Sequence, residues 1–195
     1  MSGKKKLLIL ELKLEDYLIL CVLALGVVST FFSNKEILNV ALVSLFAATA
    51  MYFIASTYAR RVGGGNALGF TRALNSFVSG LLFLVAPCIF LYHWGFNGVF
   101  HSVVILVFMI CGIFRISAFN YFGSRQDAHK YYYVGMPVFW SPVVVLIAFV
   151  LGKAFGTVIT YPILSVALIL FSFLMLLNMD IKYLHKPMSW VKKLK

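Results

Sequence analysis

Six long windows almost free of charge, joined by short connectors, constrain this chain more than any other feature. They run approximately Tyr17 to Ser33, Ile37 to Ala59, Leu74 to Trp94, Val99 to Tyr121, Val134 to Leu151 and Thr157 to Asp180. A helix of about 20 apolar residues crosses a hydrocarbon core of roughly 30 Å, and each window is of that order. Within lipid no water satisfies backbone N–H and C=O groups, so only helices and closed barrels can span it. The alternating segments of about ten residues that mark a barrel are absent. The sequence therefore predicts an all-α integral membrane protein, multi-pass, with six transmembrane helices. A composition that is 62% hydrophobic and only 12% charged, with a mean hydropathy of +0.96, excludes a soluble globule of 195 residues.

Basic residues predict the orientation, because Lys and Arg of short loops stay on the cytoplasmic side. Lys4, Lys5, Lys6 and Lys13 precede the first window, Arg60, Arg61 and Arg72 follow the second, Arg125 and Lys130 follow the fourth, and Lys182, Lys186, Lys192, Lys193 and Lys195 follow the sixth. With six spans all of these share one side, and the other side holds Lys35 and Lys153. Both termini are thus predicted to be cytoplasmic. The formal charge of +11 reads as topology signal and attraction to anionic headgroups, not as a nucleic-acid surface. Residues 1–15 read as an interfacial amphipathic segment and not as a cleavable signal, since Leu7 to Leu10 is a short apolar run soon broken by Glu11, Lys13, Glu15 and Asp16. Residues 181–195 read as a basic cytoplasmic tail, and 1–195 as one domain.

Polar side chains at membrane depth are candidates for function, although Ser, Thr and Asn also join helices to one another. Asn75 and Ser79 are spaced i, i+4 and share a helix face; Thr49, Ser56 and Thr57 lie in the second window. Arg115, near the end of the fourth window, must snorkel, pair or bind an anion. The connector Arg60 to Arg72 sets Gly63, Gly64 and Gly65 beside arginines, a weak phosphate-cradle pattern that positive-inside topology also explains. His93, His101, His129 and His185 show no metal-ligand spacing, and Cys21, Cys88 and Cys111 read as apolar packing. Trp94, Trp190 and Tyr131 to Tyr133 fall near window ends, where amphipathic rings favour the interface, and Pro137 and Pro142 are expected to disturb the fifth span.

Four segments carry a resemblance. TRALNSFVSGLLFLVAPCIFLYHW, from Thr71 to Trp94, is similar to the third span of the CDP-alcohol phosphatidyltransferases in their phosphatidylserine synthase branch, where the pattern reads GxELDSLADxxSFGVAPxxLLY. CGIFRISAFN (Cys111 to Asn120) looks like that branch's CGxxRLARFN, YYVGMP (Tyr132 to Pro137) like YFxGLP, and DYLILCVLALG (Asp16 to Gly26) like DYxTLLNLLxG. The resemblance implies a six-helix scaffold, a dimer and a lipid-facing groove. It also implies an active site on DxxDGxxAR followed by GxxxDxxxD, in which two pairs of carboxylates hold two divalent ions that neutralise the pyrophosphate of a CDP-lipid and activate an acceptor hydroxyl.

Laid on this sequence, the AR pair is Ala59 and Arg60, and the four aspartate positions are Tyr52, Ala55, Asn75 and Ser79. No other register restores them, because no Asp or Glu occurs from Ile37 to Gln126. The family's first-span Asn is Val22 here, and the second Arg of RLARFN is Ala118. The resemblance together with the missing acids implies a catalytically inactive family member, with no metal cofactor and no catalytic residue intact. It would act as a membrane partner or regulator in phospholipid metabolism, surrounded by membrane lipids and assembled as a homodimer or with another membrane protein. Arg60, Arg61 and Arg115 are the candidates for phosphate or headgroup binding. Two alternatives stay open. One is an active phosphatidylserine synthase-like phosphatidyltransferase with a non-standard site, drawing on Asp127, Asp180 or a partner's carboxylates. The other is a metal-independent binder of lipid or CDP-lipid.

Overall fold

A computed structural model describes residues 14–62, 68–122, 125–127, 130–134, 136–177 and 180–182. Six helices among them are long and apolar enough to cross a membrane: Asp16–Asn34, Leu38–Tyr58, Ala73–His93, Val99–Asn120, Val138–Phe155 and Thr157–Leu176. They fall on the predicted windows, so the helical membrane architecture stands. Most of the interfacial segment, the tail beyond residue 182, the glycine run at 63–65, and His129, His185 and Trp190 lie outside the described residues.

Helices α1 (Leu14–Asn34) and α2 (Leu38–Val62) form a tight antiparallel hairpin, the most extensive helix pair of the bundle. Small residues let the two backbones approach: Ser29, Ser33, Ala41 and Ala48 are fully buried, and Ser29 Oγ donates across the pair to the Ala41 carbonyl at 2.8 Å. Ser33, Ser44 and Thr49 instead return their hydroxyls to carbonyls one turn back in their own helices, which removes their polarity from the lipid. The turn between the helices closes by two reverse bonds, Ile37 N–H to Phe32 C=O at 3.0 Å and Glu36 N–H to Ser33 C=O at 2.9 Å. Glu36 sits at φ +58° in the left-handed position where glycine is the usual residue.

The third span is assembled from α3 (Leu68–Gly80), a π-helical turn over Leu81–Val85, and α4 (Ala86–His93). It is the central helix: 56% of its window is buried, against 28% for the fourth span, and it touches α1, α2, α5 (Val99–Phe122) and the fifth span. The widened turn closes with Ala86 N–H on the Leu81 carbonyl. Pro87 follows and has no N–H, so it cannot serve the Phe83 carbonyl one turn back. The Ser141 hydroxyl supplies the missing bond from the fifth span. The proline whose carbonyl needs outside help is thus Pro87.

Pro137 and Pro142, by contrast, do not disturb the fifth span. Pro137 precedes a 3-10 turn over Val138–Trp140, and Pro142 stands in the first turn of α6 (Ser141–Phe155), where its absent N–H has no intrahelical role. The fifth span therefore begins at Val138 and ends at Phe155, about one turn later than predicted. The cause lies upstream, where the aromatic and β-branched run Lys130–Val134 is taken by a strand.

That strand belongs to a small sheet the sequence reading did not anticipate. Strands β1 (Arg125–Asp127), β2 (Lys130–Val134) and β3 (Asp180–Lys182) pair antiparallel in the order β1-β2-β3, with Arg125 opposite Tyr132 and Val134 opposite Asp180. It ties the chain leaving α5 to the chain leaving α7 (Thr157–Leu176) at one end of the bundle. The sixth span accordingly stops at Leu176, not Asp180.

Candidate functional site

The four positions matching the family aspartates occupy facing surfaces of α2 and α3. Three of them meet. Ser79 has one hydroxyl proton and donates it to the Asn75 backbone carbonyl at 2.7 Å. Tyr52 must therefore be the donor in its 2.8 Å bond to Ser79 Oγ, and its phenolic oxygen accepts from Asn75 Nδ2 at 3.2 Å. Donation runs in one sense round a closed ring, from the Asn75 amide to Tyr52, to Ser79 and back to the Asn75 backbone. The Tyr52 ring stands edge-on to Phe83 with centroids 4.9 Å apart, and Ser79 and Ala55 are both buried.

This ring does not fit the pair of divalent ions that the resemblance implies. A phenol, a hydroxyl and an amide supply no negative charge, and both hydroxyl protons are already committed. Hard cations need anionic oxygens to displace their water. Among the described residues no group of three or more His, Cys, Asp or Glu could hold a metal. Asp127 and Asp180 do not make good the loss together. They lie on opposite edge strands, Asp127 facing Lys130 and Asp180 facing Val134, which sets them apart by four positions along β2, or about 13 Å along the sheet as well as two strand spacings across it.

A second set of polar contacts involves α3, α5 and the connector ahead of the fifth span. Ser76, on the neighbouring face of α3, donates to Asn120 Oδ1 of α5 at 2.7 Å. Arg115 is buried at 6% exposure, and its Nε donates to the Met136 carbonyl at 3.2 Å. Met136 N–H in turn reaches the Leu174 carbonyl of α7 at 3.2 Å, so one residue in the connector ahead of the fifth span is held from two helices. Arg115 is therefore an internal clasp on backbone and does not extend to the surface by snorkelling. Asp16, in the first turn of α1, is also buried, a position where a carboxylate complements the helix N-terminus. Positions 60 and 61 lie in the last turn of α2, and their side chains lie outside the described residues.

The sequence singled out Asn75, Ser79 and Arg115, and the structure brings the first two to Tyr52. It missed Ser76, Asn120 and Met136 as partners, although Asn120 closes the CGIFRISAFN segment and Met136 lies in YYVGMP. Those two segments were the available signal. Cys88 and Cys111 are buried as expected, whereas Cys21 faces outward.

The opposite end of the third span has a different character. Gly95, at φ +101°, ends α4 with Phe96 N–H on the Leu91 carbonyl and its own N–H on that of Tyr92. Phe96, fully buried, stacks on His101 at 4.2 Å, while Tyr161 presents ring edges to Trp94, Phe96 and His101 and donates its hydroxyl to the Trp94 carbonyl at 2.8 Å. Trp94 also lies over Gly152, which leaves no room for a Cβ. Trp94 is thus a packing residue as much as an interfacial one.

Neither family models, nor curated proteins, nor solved structures gave a match to this chain.

Proposed function

We propose that this protein is a catalytically inactive member of the CDP-alcohol phosphatidyltransferase family, of the phosphatidylserine synthase-like branch. In this reading it keeps the six-helix scaffold, with both termini in the cytoplasm, and works as a membrane partner or regulator in phospholipid metabolism. One observation carries the reading: Tyr52, Asn75 and Ser79, three of the four positions where the motif demands aspartate, converge on a single closed hydrogen-bond ring. Polar side chains also pair between membrane helices for packing alone, and the meeting of three motif positions at one place supports the alignment. The neutrality of the ring supports the loss of metal-dependent transfer.

The test is release of CMP from CDP-diacylglycerol by the purified full chain with Mn²⁺ and a serine or glycerol phosphate acceptor. None is expected, and release abolished by EDTA would refute the reading. The quadruple variant Tyr52→Asp, Ala55→Asp, Asn75→Asp, Ser79→Asp is expected to acquire a Mn²⁺ signal by electron paramagnetic resonance that the native chain lacks. Pull-down from membranes is expected to recover either a second copy or another membrane protein of lipid metabolism.

A further inference from the structure

We propose that the exposed face of α6, at the Trp94 end of the bundle, holds an anionic phospholipid, its phosphate between the Lys153 ammonium and the Trp94 indole N–H and an acyl chain along Val150 and Ile147.

Lys153 is an exposed cation inside an apolar span, Val138–Phe155, close to its end. Its Nζ lies 5.4 Å from the centre of the Phe149 ring, one turn back along α6, so the side chain is drawn over the span. Beyond it the turn into α7 is apolar as well: Phe155 is 65% and Val158 87% exposed. An ammonium with exposed apolar residues on both sides is stabilised by an anion at its own depth. The described residues supply none. Lys153 makes no ion pair among them, no acid occurs from Ala128 to Met179, and the three connectors at this end, residues 35–37, 94–98 and 156, hold the single acid Glu36.

Trp94 brings a second donor to the same place. Its ring closes on Gly152, the residue next to Lys153, with Cε2, the carbon bonded to Nε1, 3.6 Å from the point a Cβ would take. Any side chain at position 152 would push the indole off α6. The Trp94 and Phe149 rings, 5.5 Å apart, form one aromatic wall, and the ammonium rests on it. The indole N–H donates to no group among the described residues, where no buried donor is left without a partner, so this half-buried N–H opens to the surroundings. An interfacial indole uses such an N–H on a polar neighbour.

Charge selects the occupant. Lipid tails cover any apolar face of a membrane protein, and here the cation and the indole decide which headgroup stands above the tail. Val150 and Ile147, each three residues further down α6, are exposed and continue the face into the span. A cation and an N–H above exposed apolar side chains suit an amphiphile with a phosphate, where a soluble anion would use only the polar half of the site. The site lies at the opposite end of the third span from the Tyr52 ring and does not depend on the reading of that ring as a lost metal centre.

The test reads Trp94 fluorescence in the full chain carrying Trp140→Phe and Trp190→Phe, reconstituted in mixed vesicles of phosphatidylglycerol and phosphatidylcholine with bromine on the acyl chains of one lipid at a time. Brominated phosphatidylglycerol is expected to quench Trp94 as though enriched about fivefold over phosphatidylcholine, the preference one basic residue near a headgroup confers. Lys153→Gln should bring the two lipids to near parity, and Lys153→Arg should keep the preference. Lys35→Gln, which removes the other lysine of this end, should leave it unchanged. Excess inorganic phosphate should displace nothing. Native mass spectrometry of the chain with all its tryptophans gives a second reading: Lys153→Gln is expected to retain one phosphatidylglycerol fewer than native protein, Lys35→Gln the same number, and Trp94→Phe, which removes the N–H, to hold that lipid less often. Equal quenching by the two lipids, or an unchanged preference in Lys153→Gln, overturns the proposal. So does an equal loss in Lys35→Gln, which would mark general charge attraction, or displacement by phosphate, which would mark a site for soluble anions.

Discussion

At the Asn75 end of the third span three polar side chains share a directed ring of hydrogen bonds, whereas at the Trp94 end several aromatic rings share edges and a single hydroxyl. Each end contains one tyrosine with its phenol engaged. Tyr52 both donates and accepts, and Tyr161 only donates, to a backbone carbonyl. The first end is held by polar direction and the second by shape. A polar ring in a low-dielectric interior specifies one arrangement, since any partner removed leaves the others unsatisfied. An aromatic cluster tolerates the loss of a hydroxyl and suffers from the loss of volume. The polar end is also the one that holds three of the four motif positions, Tyr52, Asn75 and Ser79.

The largest expected effect tests shape. Phe96→Ala, which empties a fully buried ring site between His101 and Tyr161, should destabilise the chain by about 3 kcal/mol in a reversible unfolding titration in detergent. A loss below that of the tyrosine variants would show that the aromatic end is not held by packing. The same substitution at both tyrosines then sharpens the contrast. Tyr52→Phe should cost about 1.5 kcal/mol, because it strands the Asn75 amide and leaves the buried Ser79 without its donor. Tyr161→Phe should cost only about 0.6 kcal/mol, the size of one ordinary hydrogen bond between helices in a membrane. Equal losses would mean that the ring at Tyr52 is no more than a set of independent contacts. The smallest effect has the opposite sign. Gly95 and Glu36 hold equivalent positions in two helix-ending turns, and Glu36 bears a side chain in the left-handed region. Glu36→Gly should therefore raise stability by about 0.5 kcal/mol, read as a higher unfolding midpoint.

The helical spans were legible because their signal is additive and local: each is a run of apolar residues long enough to cross lipid, whatever it packs against. Their ends were less so. Lys130–Val134 is an aromatic and β-branched run that suits a membrane helix as well as a strand, and only its pairing with Arg125–Asp127 and Asp180–Lys182 makes it a strand. Pro87 lies inside an apolar window, and its consequence depends on whether a hydroxyl reaches Phe83 from a helix more than fifty residues away. At the candidate site, the spacing of Asn75 and Ser79 placed them on one face of one helix. That Tyr52 stands opposite them was available only from the aligned motif, since periodicity says nothing about which helix a face meets.

By itself the sequence determined that this chain lives in a membrane as helices, how many times it crosses, and that no acid can serve a cation in the second to fourth spans. Those properties follow from transfer free energies and composition, which sum over neighbours in the chain. Only the tertiary structure decided that Tyr52, Asn75 and Ser79 close on one another, that Arg115 donates to the Met136 carbonyl, and that Trp94 packs inward over Gly152. Hydrogen-bond direction and ring contact depend on angles and on distances of a few ångströms between residues far apart in sequence, and these are set only when the helices have packed.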